Sequence, residues 1–340
     1  MDIISGLESV MSITLKEIAR LAGVSTSSVS LVLNDRPNRI SEQTKALIKK
    51  IAEEEHYTPN VMARSLVTKR TKTLGLIIPD IENFFFSKLA KVLEMEARKK
   101  GYTLIIVNSN DSFRDDLLLM DLLVSRGVDG LFLVMSNEAY QHQTEMQEKL
   151  SHLSIPFVMI DRVMDVPCSK VYFDNVTGAY LATKYLIEQG HSRISCICNT
   201  YISNNSLSRI NGYKKAMDEH GFKIPKEYII PANYRIEGGY EAAEQILKTD
   251  CTAIFVSNDM MTIGVLKKFM ECGIRIPEDY MIVSYDNLLS DFLFGIRISS
   301  IDQDIQELGL RSWEVLHSSM KSGDKAEVQD ICLLPKLIVR

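Results

Sequence analysis

The sequence predicts an α/β protein made of two doubly wound parallel-sheet lobes, with a small all-helical domain in front of them. Three observations carry this. From Thr73 onward, short runs rich in Ile, Leu and Val alternate with amphipathic segments of helical period, the pattern of βα units. The alternation starts twice, at Thr73 and again after Asp174, so two sheets follow one another. Over residues 12–58 the period is helical, and before Thr73 the sign of the charge changes.

The charge split bears on partners. The 340 residues carry a formal net charge of −5. From Ser12 to Lys72, 11 Lys and Arg stand against 6 Asp and Glu, whereas residues 1–11 carry −2 and residues 73–340 carry −8. A basic head on an acidic body points to a polyanion as the partner of the head. At 46% hydrophobic and 24% charged, the chain has ordinary globular composition and enough apolar material for more than one domain. It has no apolar stretch long enough to span a bilayer, so no membrane partner is expected. The opening MDIISGLESV contains Asp2 and Glu8 but no Lys or Arg, unlike a signal peptide. The expected location is the cytoplasm.

In the head, residues 15–22 (LKEIARLA) form a first helix, with Thr14 and Glu17 spaced as a capping box. Leu15, Ile18 and Leu21/Ala22 give its apolar stripe, and Gly23 supplies the turn. Ser25 caps a second helix, TSSVSLVLN, whose Val29 and Val32 face inward. At 100° per residue, Thr26, Ser27, Ser30 and Leu31 share an arc of about 140° on the opposite side. After a loop with Pro37, Ser41 caps a third helix, EQTKALIKKIAEEE, striped by Leu47, Ile48, Ile51 and Ala52. Two helices joined by a glycine turn, the second rich in short polar side chains, are a helix-turn-helix suited to the major groove. Pro59 ends the third helix. Asn60 then opens a short segment, VMARSLVTK, too short to be a stable isolated helix.

In the body, LGLIIPD, YTLIIVNS, GLFLVMS and PFVMIDR read as strands of the first lobe. Helices over FSKLAKVLEMEARKK, DDLLLMDLLVSR and a segment near Glu138–Leu150 separate them. RISCICN, EYIIPANY, TAIFVSND and YMIVSYDN are strands of the second, with a further strand at GIRISS. Ligands of such sheets bind at the carboxyl ends of strands, so two lobes with facing strand ends make a cleft. The residues there are polar or aromatic: Asn83 with Phe84–Phe86, Asp161 with Arg162, Asn258 with Asp259, and Tyr285 with Asp286; Arg209 is placed at a helix start. Carboxylates and an amide that fork to hydroxyls, beside an aromatic ring, suit a sugar or a nucleobase.

No cofactor and no metal are expected. The six cysteines form no C-x-x-C pair and read as reduced, with Cys196 and Cys198 on one face of a buried strand. His191 reads as a structural imidazole, and Gly238-Gly239 is not a dinucleotide fingerprint. Without a Walker loop, H-E-x-x-H or G-x-S-x-G, an enzyme has no residues to stand on.

The chain resembles the lactose-repressor/galactose-repressor family from Ser12 almost to its end. A-G-V-S-x-x-x-V-S-x-V-L-N and Y-x-P-N-x-x-A-R-S-L carry the likeness in the head. In the body it rests on D-I-x-N-x-F-F, D-N-x-x-G, Q-G-H-S-R-I, R-x-x-G-Y, S-N-D-x-M and the strand ending Y-D-N. The resemblance implies a sequence-specific DNA-binding transcription regulator, a repressor, with a periplasmic-binding-protein-like core. A small-molecule effector (sugar, sugar phosphate or nucleobase) controls it, and it acts as a homodimer or dimer of dimers on operator DNA. It implies base reading by Thr26, Ser27 and Leu31 and a minor-groove wedge at Leu66, within a DNA-facing set that also includes Thr14, Ser25, Ser30, Tyr57, Asn60 and Ala63. Phe85, Phe86, Asp161, Arg209, Tyr234, Asn258 and Asp286 line the implied effector pocket.

Three departures stand out: Leu31 where the family usually has Arg or His, a loop at Asn34–Ser41 about one residue longer, and GIRISS where a proline pair is common. Leu31 can meet a thymine methyl but cannot donate to guanine. The expected organisation is a disordered extension over 1–11, which ends where Met11 begins the family-like start. Then come a helix-turn-helix domain over 12–59, a hinge over 60–72 that orders on DNA, and a core over 73–340. Within the core the first lobe takes 73–173 and 304–328, the second 174–303 and 329–340. The rivals are a transport-type solute-binding protein, which needs a signal peptide and no head, and an enzyme with a fused DNA module.

Overall fold

The computed structural model describes residues 13–34, 37–57, 70–199, 203–290, 295–323 and 327–340. Asn60, Ala63 and Leu66, the extension over 1–11 and most of the hinge lie outside them. The chain divides into two compact units, Met1–Thr71 and Lys72–Arg340.

The first unit holds α1 (Leu15–Ala22), α2 (Thr26–Leu33) and α3 (Glu42–Glu54). The capping box at α1 is complete: Glu17 N donates to Thr14 Oγ1 at 3.3 Å and Thr14 N to Glu17 Oε2 at 3.0 Å. Each bond satisfies a helix-end N–H that has no partner inside the helix. Gly23 ends α1 in the left-handed region at φ 65°, where a side chain would be strained. Ile18, Ala19, Val29, Val32, Ile48 and Ala52 form the small core. The apolar stripes are narrower than their spacing predicts. Leu21 and Leu47 are 46% and 45% exposed, because three short helices close around one seam and leave the margins in solvent.

The second unit has two sheets. The first contains β1 (Thr73–Ile78), β2 (Thr103–Asn108), β3 (Leu131–Leu133), β4 (Phe157–Ile160), β5 (Ser169–Phe173) and β11 (Asp330–Leu333). Their order is β2-β1-β3-β4-β5-β11, with every pair parallel. Its helices are α4 (Phe84–Lys99), α5 (Phe113–Ser125), α6 (Gln143–Ser151) and α11 (Ile305–Ser322).

The second sheet contains β6 (Ile194–Asn199), β7 (Ile229–Ala232), β8 (Ala253–Val256), β9 (Met281–Asp286), β10 (Ser299–Asp302) and β12 (Lys336–Ile338). It repeats the plan, β7-β6-β8-β9-β10-β12, and only the edge pair β10–β12 is antiparallel. Around it lie α7 (Asn175–Glu188), α8 (Asn204–Glu219), α9 (Ile236–Ile246) and α10 (Asp259–Glu271). The sheet interiors are apolar on both faces, as the unbroken burial of β6 and β8 requires.

The chain passes between lobes at 173–175, 302–305 and 333–336. This corrects the expected boundary at 328: Asp330–Leu333 pairs with Ser169–Phe173, so the first lobe extends to residue 333. Without that strand β5 would present an open edge. The first sheet therefore has two strands that no apolar run marks, β5 and β11, and the second gains β12. All six cysteines are free, and Cys196 and Cys198 are buried in β6. Among the described residues no helix is long and apolar enough to cross a membrane.

Candidate effector cavity and DNA-facing helix

In both sheets the strand order reverses beside the first strand, and the loops leaving that switch point diverge to make a crevice. Phe85 and Phe86 follow β1, and Asp161 and Arg162 follow β4. From the second lobe come Arg209 on α8, Tyr234 after β7, Asn258 after β8 and Asp286 at the end of β9. All seven side chains predicted for the pocket line one cavity, together with Asn83, Arg162, Asn205 and Gln303.

The lobes are closed on this cavity. Across the cleft Asn204 Nδ2 donates to Val163 O at 3.1 Å, and Arg235 pairs with Asp80 at 3.3 Å. The enclosed volume is about 30 Å³, room for two or three waters at roughly 10–15 Å³ each. A larger hollow of about 430 Å³ lies on the other side of Asn205. Its lining joins exposed Asp165, Asn204, Asp330 and Cys332 to buried Asn175 and Asn205, and none of its charged side chains is buried, unlike Asp161, Arg162, Arg209 and Asp286 in the smaller cavity.

Arg209 sits in the second turn of α8 rather than at its start, because Ser203 caps the helix and α8 begins at Asn204. Its guanidinium is buried against the Tyr285 ring, 3.8 Å from the centroid. It donates to Asn175 Oδ1 at 2.8 Å, Ser257 O at 2.5 Å and Gln303 Oε1 at 3.4 Å. Asn175 and Gln303 belong to two of the three lobe crossings, so Arg209 ties them together. Three of its five N–H donors are thereby used. Burial works against its charge, but Tyr234, Tyr285, Asp286 and Asp161 around it keep it protonated.

The second guanidinium, Arg162, stands at a strand end facing the cleft but outside the pocket set that the resemblance implies. Arg162 donates to Asp111 Oδ1 at 2.7 Å and to Met135 O at 3.3 Å, and lies over the Phe86 ring at 5.2 Å. Asp111 also accepts from the Asn137 backbone and side chain, both at 2.7 Å, which binds the ends of β2, β3 and β4 into one floor. Being adjacent to Asp161 was the only sequence signal for Arg162.

Asp161 is 4% exposed and sits in the left-handed region at φ 61°. Its Oδ1 meets no hydrogen-bond partner among the described residues. Burial holds its pKa above the usual carboxylate range, against the pull of Arg209, Arg162 and Asn205. Burial likewise pushes Asp286 up to about 6, and burial with repulsion from Asp286 pushes Asp259 up to about 7. Asp259 accepts from Ser284 Oγ and Leu288 N, so it organises the loop beyond β9. Asn258 reaches the cavity with its amide already committed, capping α10 through Met261 N at 2.9 Å and donating to Tyr234 O at 3.1 Å. The Tyr234 hydroxyl pairs with Ser206 Oγ at 3.1 Å.

In the head, Ser25, Thr26 and Ser27 are exposed at the start of α2, whereas Ser30 and Leu31 are half-buried. The Thr14 and Ser25 hydroxyls are engaged as helix caps, Ser25 accepting from Ser28 N at 3.1 Å. Ser30 O accepts from Asn34 Nδ2 at 2.8 Å. Thr26 and Ser27 are thus the freest polar groups on the predicted arc.

Residues 14–60 match the model of bacterial regulatory proteins, lacI family. Residues 71–334 match periplasmic binding proteins and sugar binding domain of LacI family. The chain is 34% identical over 314 residues to the HTH-type transcriptional repressor PurR of Vibrio atlanticus (strain LGP32), covering 92% of this chain and 93% of that protein. It is 32% identical over 332 residues to the HTH-type transcriptional regulator DegA of Bacillus subtilis (strain 168), covering 97% and 98%. A LacI family regulator from Enterococcus faecium with bound ribose superposes with a TM-score of 0.70 at 28% identity, covering 79% of this chain and 97% of that one. The Lac repressor dimer bound to operator and the anti-inducer ONPF shares the fold, with a TM-score of 0.84 at 21% identity over 96% and 98% of the two chains. The matched head separates the protein from a transport-type binding protein, and the chain belongs to the LacI family of bacterial transcriptional regulators.

Proposed function

We propose that this repressor is controlled by a neutral sugar held between its two lobes. The observation that carries the reading is the buried Asp161 carboxylate, whose Oδ1 has no partner among the described residues and which lines the same cavity as Arg209, Arg162 and Asp286. Burying an unsatisfied polar group costs about 1–3 kcal/mol, and a sugar hydroxyl donated to it would recover that cost. A phosphorylated ligand fits less well. Arg162 is matched by Asp111, and Arg209 lies between Asp161 and Asp286, so neither offers an uncompensated charge to a dianion. A nucleobase is the second reading, favoured by the Phe86 and Tyr234 rings in the lining.

With about 30 Å³ enclosed, ligand entry requires the Asn204–Val163 and Arg235–Asp80 bridges to part and re-form. The effector then acts by favouring one lobe arrangement. A 100-fold change in operator occupancy needs about 2.7 kcal/mol of coupling, within the usual allosteric range. On the DNA side, Thr26, Ser27 and Leu31 read base edges in a homodimer bound to two half-sites, with Thr14, Ser25, Ser30 and Tyr57 as flanking contacts. The protein works in the cytoplasm and turns over no substrate. A thermal-shift panel of neutral sugars, sugar phosphates and nucleobases tests the reading. A rise in melting temperature confined to neutral sugars supports it, and a rise confined to either other class replaces it.

A further inference from the structure

The second unit begins at Lys72, and this residue has φ 55°, in the left-handed region that a residue with a Cβ disfavours. Such a conformation persists only where its surroundings over-determine it, and it gathers at switch points. Here the surroundings are specific. Lys72 N donates to Asp129 Oδ2 at 3.0 Å, and Lys72 O accepts from Thr103 N at 2.9 Å. One residue on, Thr73 O accepts from Asp129 N at 2.7 Å, so Asp129 grips the chain on both sides of the bend. The Lys72 ammonium lies over the Tyr102 ring, 4.2 Å from its centroid. Tyr102 is itself buried edge-on against Trp313, with centroids 5.8 Å apart and planes at 66°. Trp313 is the chain's one tryptophan and stands in the third turn of α11. That helix starts two residues after Gln303, which accepts from Arg209 at the lobe crossing. At 1.5 Å per residue, Trp313 is about 12 Å along the rod from its first residue.

We propose that Lys72 is a conformational junction for operator binding: its left-handed form is the DNA-competent one, Tyr102 is the positioning residue that holds it there, and Trp313 makes that hold depend on where α11 lies. Operator affinity is scaled by the fraction of molecules whose junction is competent. The ring contact offsets part of the left-handed cost, so removing it lowers that fraction. Linkage runs both ways, and DNA that selects the held junction also selects one position of α11. Such a junction serves any effector that moves the lobe crossings, whatever its chemistry. The plain alternative is that Lys72 is one more basic side chain touching a phosphate. Salt dependence tells the two apart, because a lost phosphate contact reduces the slope by about 0.9 and a lost junction leaves it alone.

The test uses the full chain and a duplex selected from a randomised pool. Lys72→Met keeps the stem and removes the cation, and Tyr102→Leu removes the ring. Lys72→Arg and Tyr102→Phe each keep the contact. Lys72→Met and Tyr102→Leu should each weaken operator binding about fivefold, the size of a part-exposed cation–π contact, at an unchanged salt slope. The double variant should bind no worse than either single one, because each change already removes the shared contact. The Arg and Phe variants should bind like wild type. Operator should alter the fluorescence of Trp313 in wild type and do so less in Lys72→Met. If Tyr102→Leu folds poorly, Lys72→Met with its Arg rescue decides alone. Wild-type affinity in Lys72→Met, a salt slope reduced by about 0.9, losses that multiply in the double variant, or Trp313 emission indifferent to operator would each overturn the assignment.

Discussion

Replacing Asp161 by Asn separates the stability of the lobes from their ligand affinity. Asp161 is 4% exposed and its Oδ1 meets no partner among the described residues, so the native state bears the cost of a desolvated carboxylate. The change keeps the shape and removes the charge. Its φ of 61° is as accessible to Asn as to Asp. The neighbouring cations stay anchored: Arg162 keeps Asp111 at 2.7 Å, and Arg209 keeps Asn175 at 2.8 Å and Ser257 O at 2.5 Å. Burial outweighs the pull of the two arginines on this carboxylate, so the neutral amide relieves the desolvation of the charge, and the ligand-free variant should be more stable by about 1–3 kcal/mol. For a unit of this size that raises the melting temperature by about 2–6 °C. In the proposed complex a charge-assisted bond to the effector falls to a neutral one, which weakens sugar binding by about 1–1.5 kcal/mol, or roughly 5–12-fold. Differential scanning fluorimetry gives the first quantity and titration calorimetry the second, with operator affinity in the absence of sugar as the control. A variant that melts lower than wild type and still binds sugar equally well would refute the reasoning.

Asp116 is fully buried and burial pushes its carboxyl up to about 6, while the unfolded chain releases that proton near 3.8. Folding thus takes up a proton between these values. The contribution of Asp116 to the stability of the core should be highest below about pH 4, fall through pH 4–6 and level off above. The contribution is on the order of 3 kcal/mol. Chemical denaturation of Asp116→Asn across that range should show a shallower fall. A Cβ on Gly264 would sit 2.0 Å from Ile236 O, so Gly264→Ala forces α9 and α10 apart. It should cost about 1–3 kcal/mol, seen as a lower urea midpoint. The double change Thr26→Ala, Ser27→Ala removes the two hydroxyls proposed to read bases without touching a cation. Against a duplex selected from a randomised pool it should weaken binding about tenfold and leave the salt slope unchanged.

Much of the fold was legible because burial writes itself as apolar runs. β1 and β6, covered on both faces, read directly as LGLII and ISCIC. β5 alternates buried and half-buried residues, and β11 and β12 are exposed edge strands, so no run marks them. The membership of β11 and β12 rests on pairing with β5 and β10, far away in the chain. Likewise Leu21 and Leu47 have the spacing of core residues and are left exposed by the size of the bundle.

By itself the sequence determined the helix caps at Thr14, Ser25 and Ser41, the turn at Gly23, the succession of two βα sheets and the identity of the strand ends that carry the cavity. These are local properties, set by a hydrogen bond or a periodicity spanning a few residues. Only the tertiary structure decided that Arg209 joins two lobe crossings, that Asp111 holds Arg162 under the cavity, and that Asn258 is committed to Tyr234 while Asp161 Oδ1 and Gln303 Nε2 meet no partner among the described residues. Whether a buried polar atom is satisfied depends on distant partners, 94 residues away for Gln303 and Arg209 and 110 for Tyr285 and Asn175, and no local pattern encodes that balance.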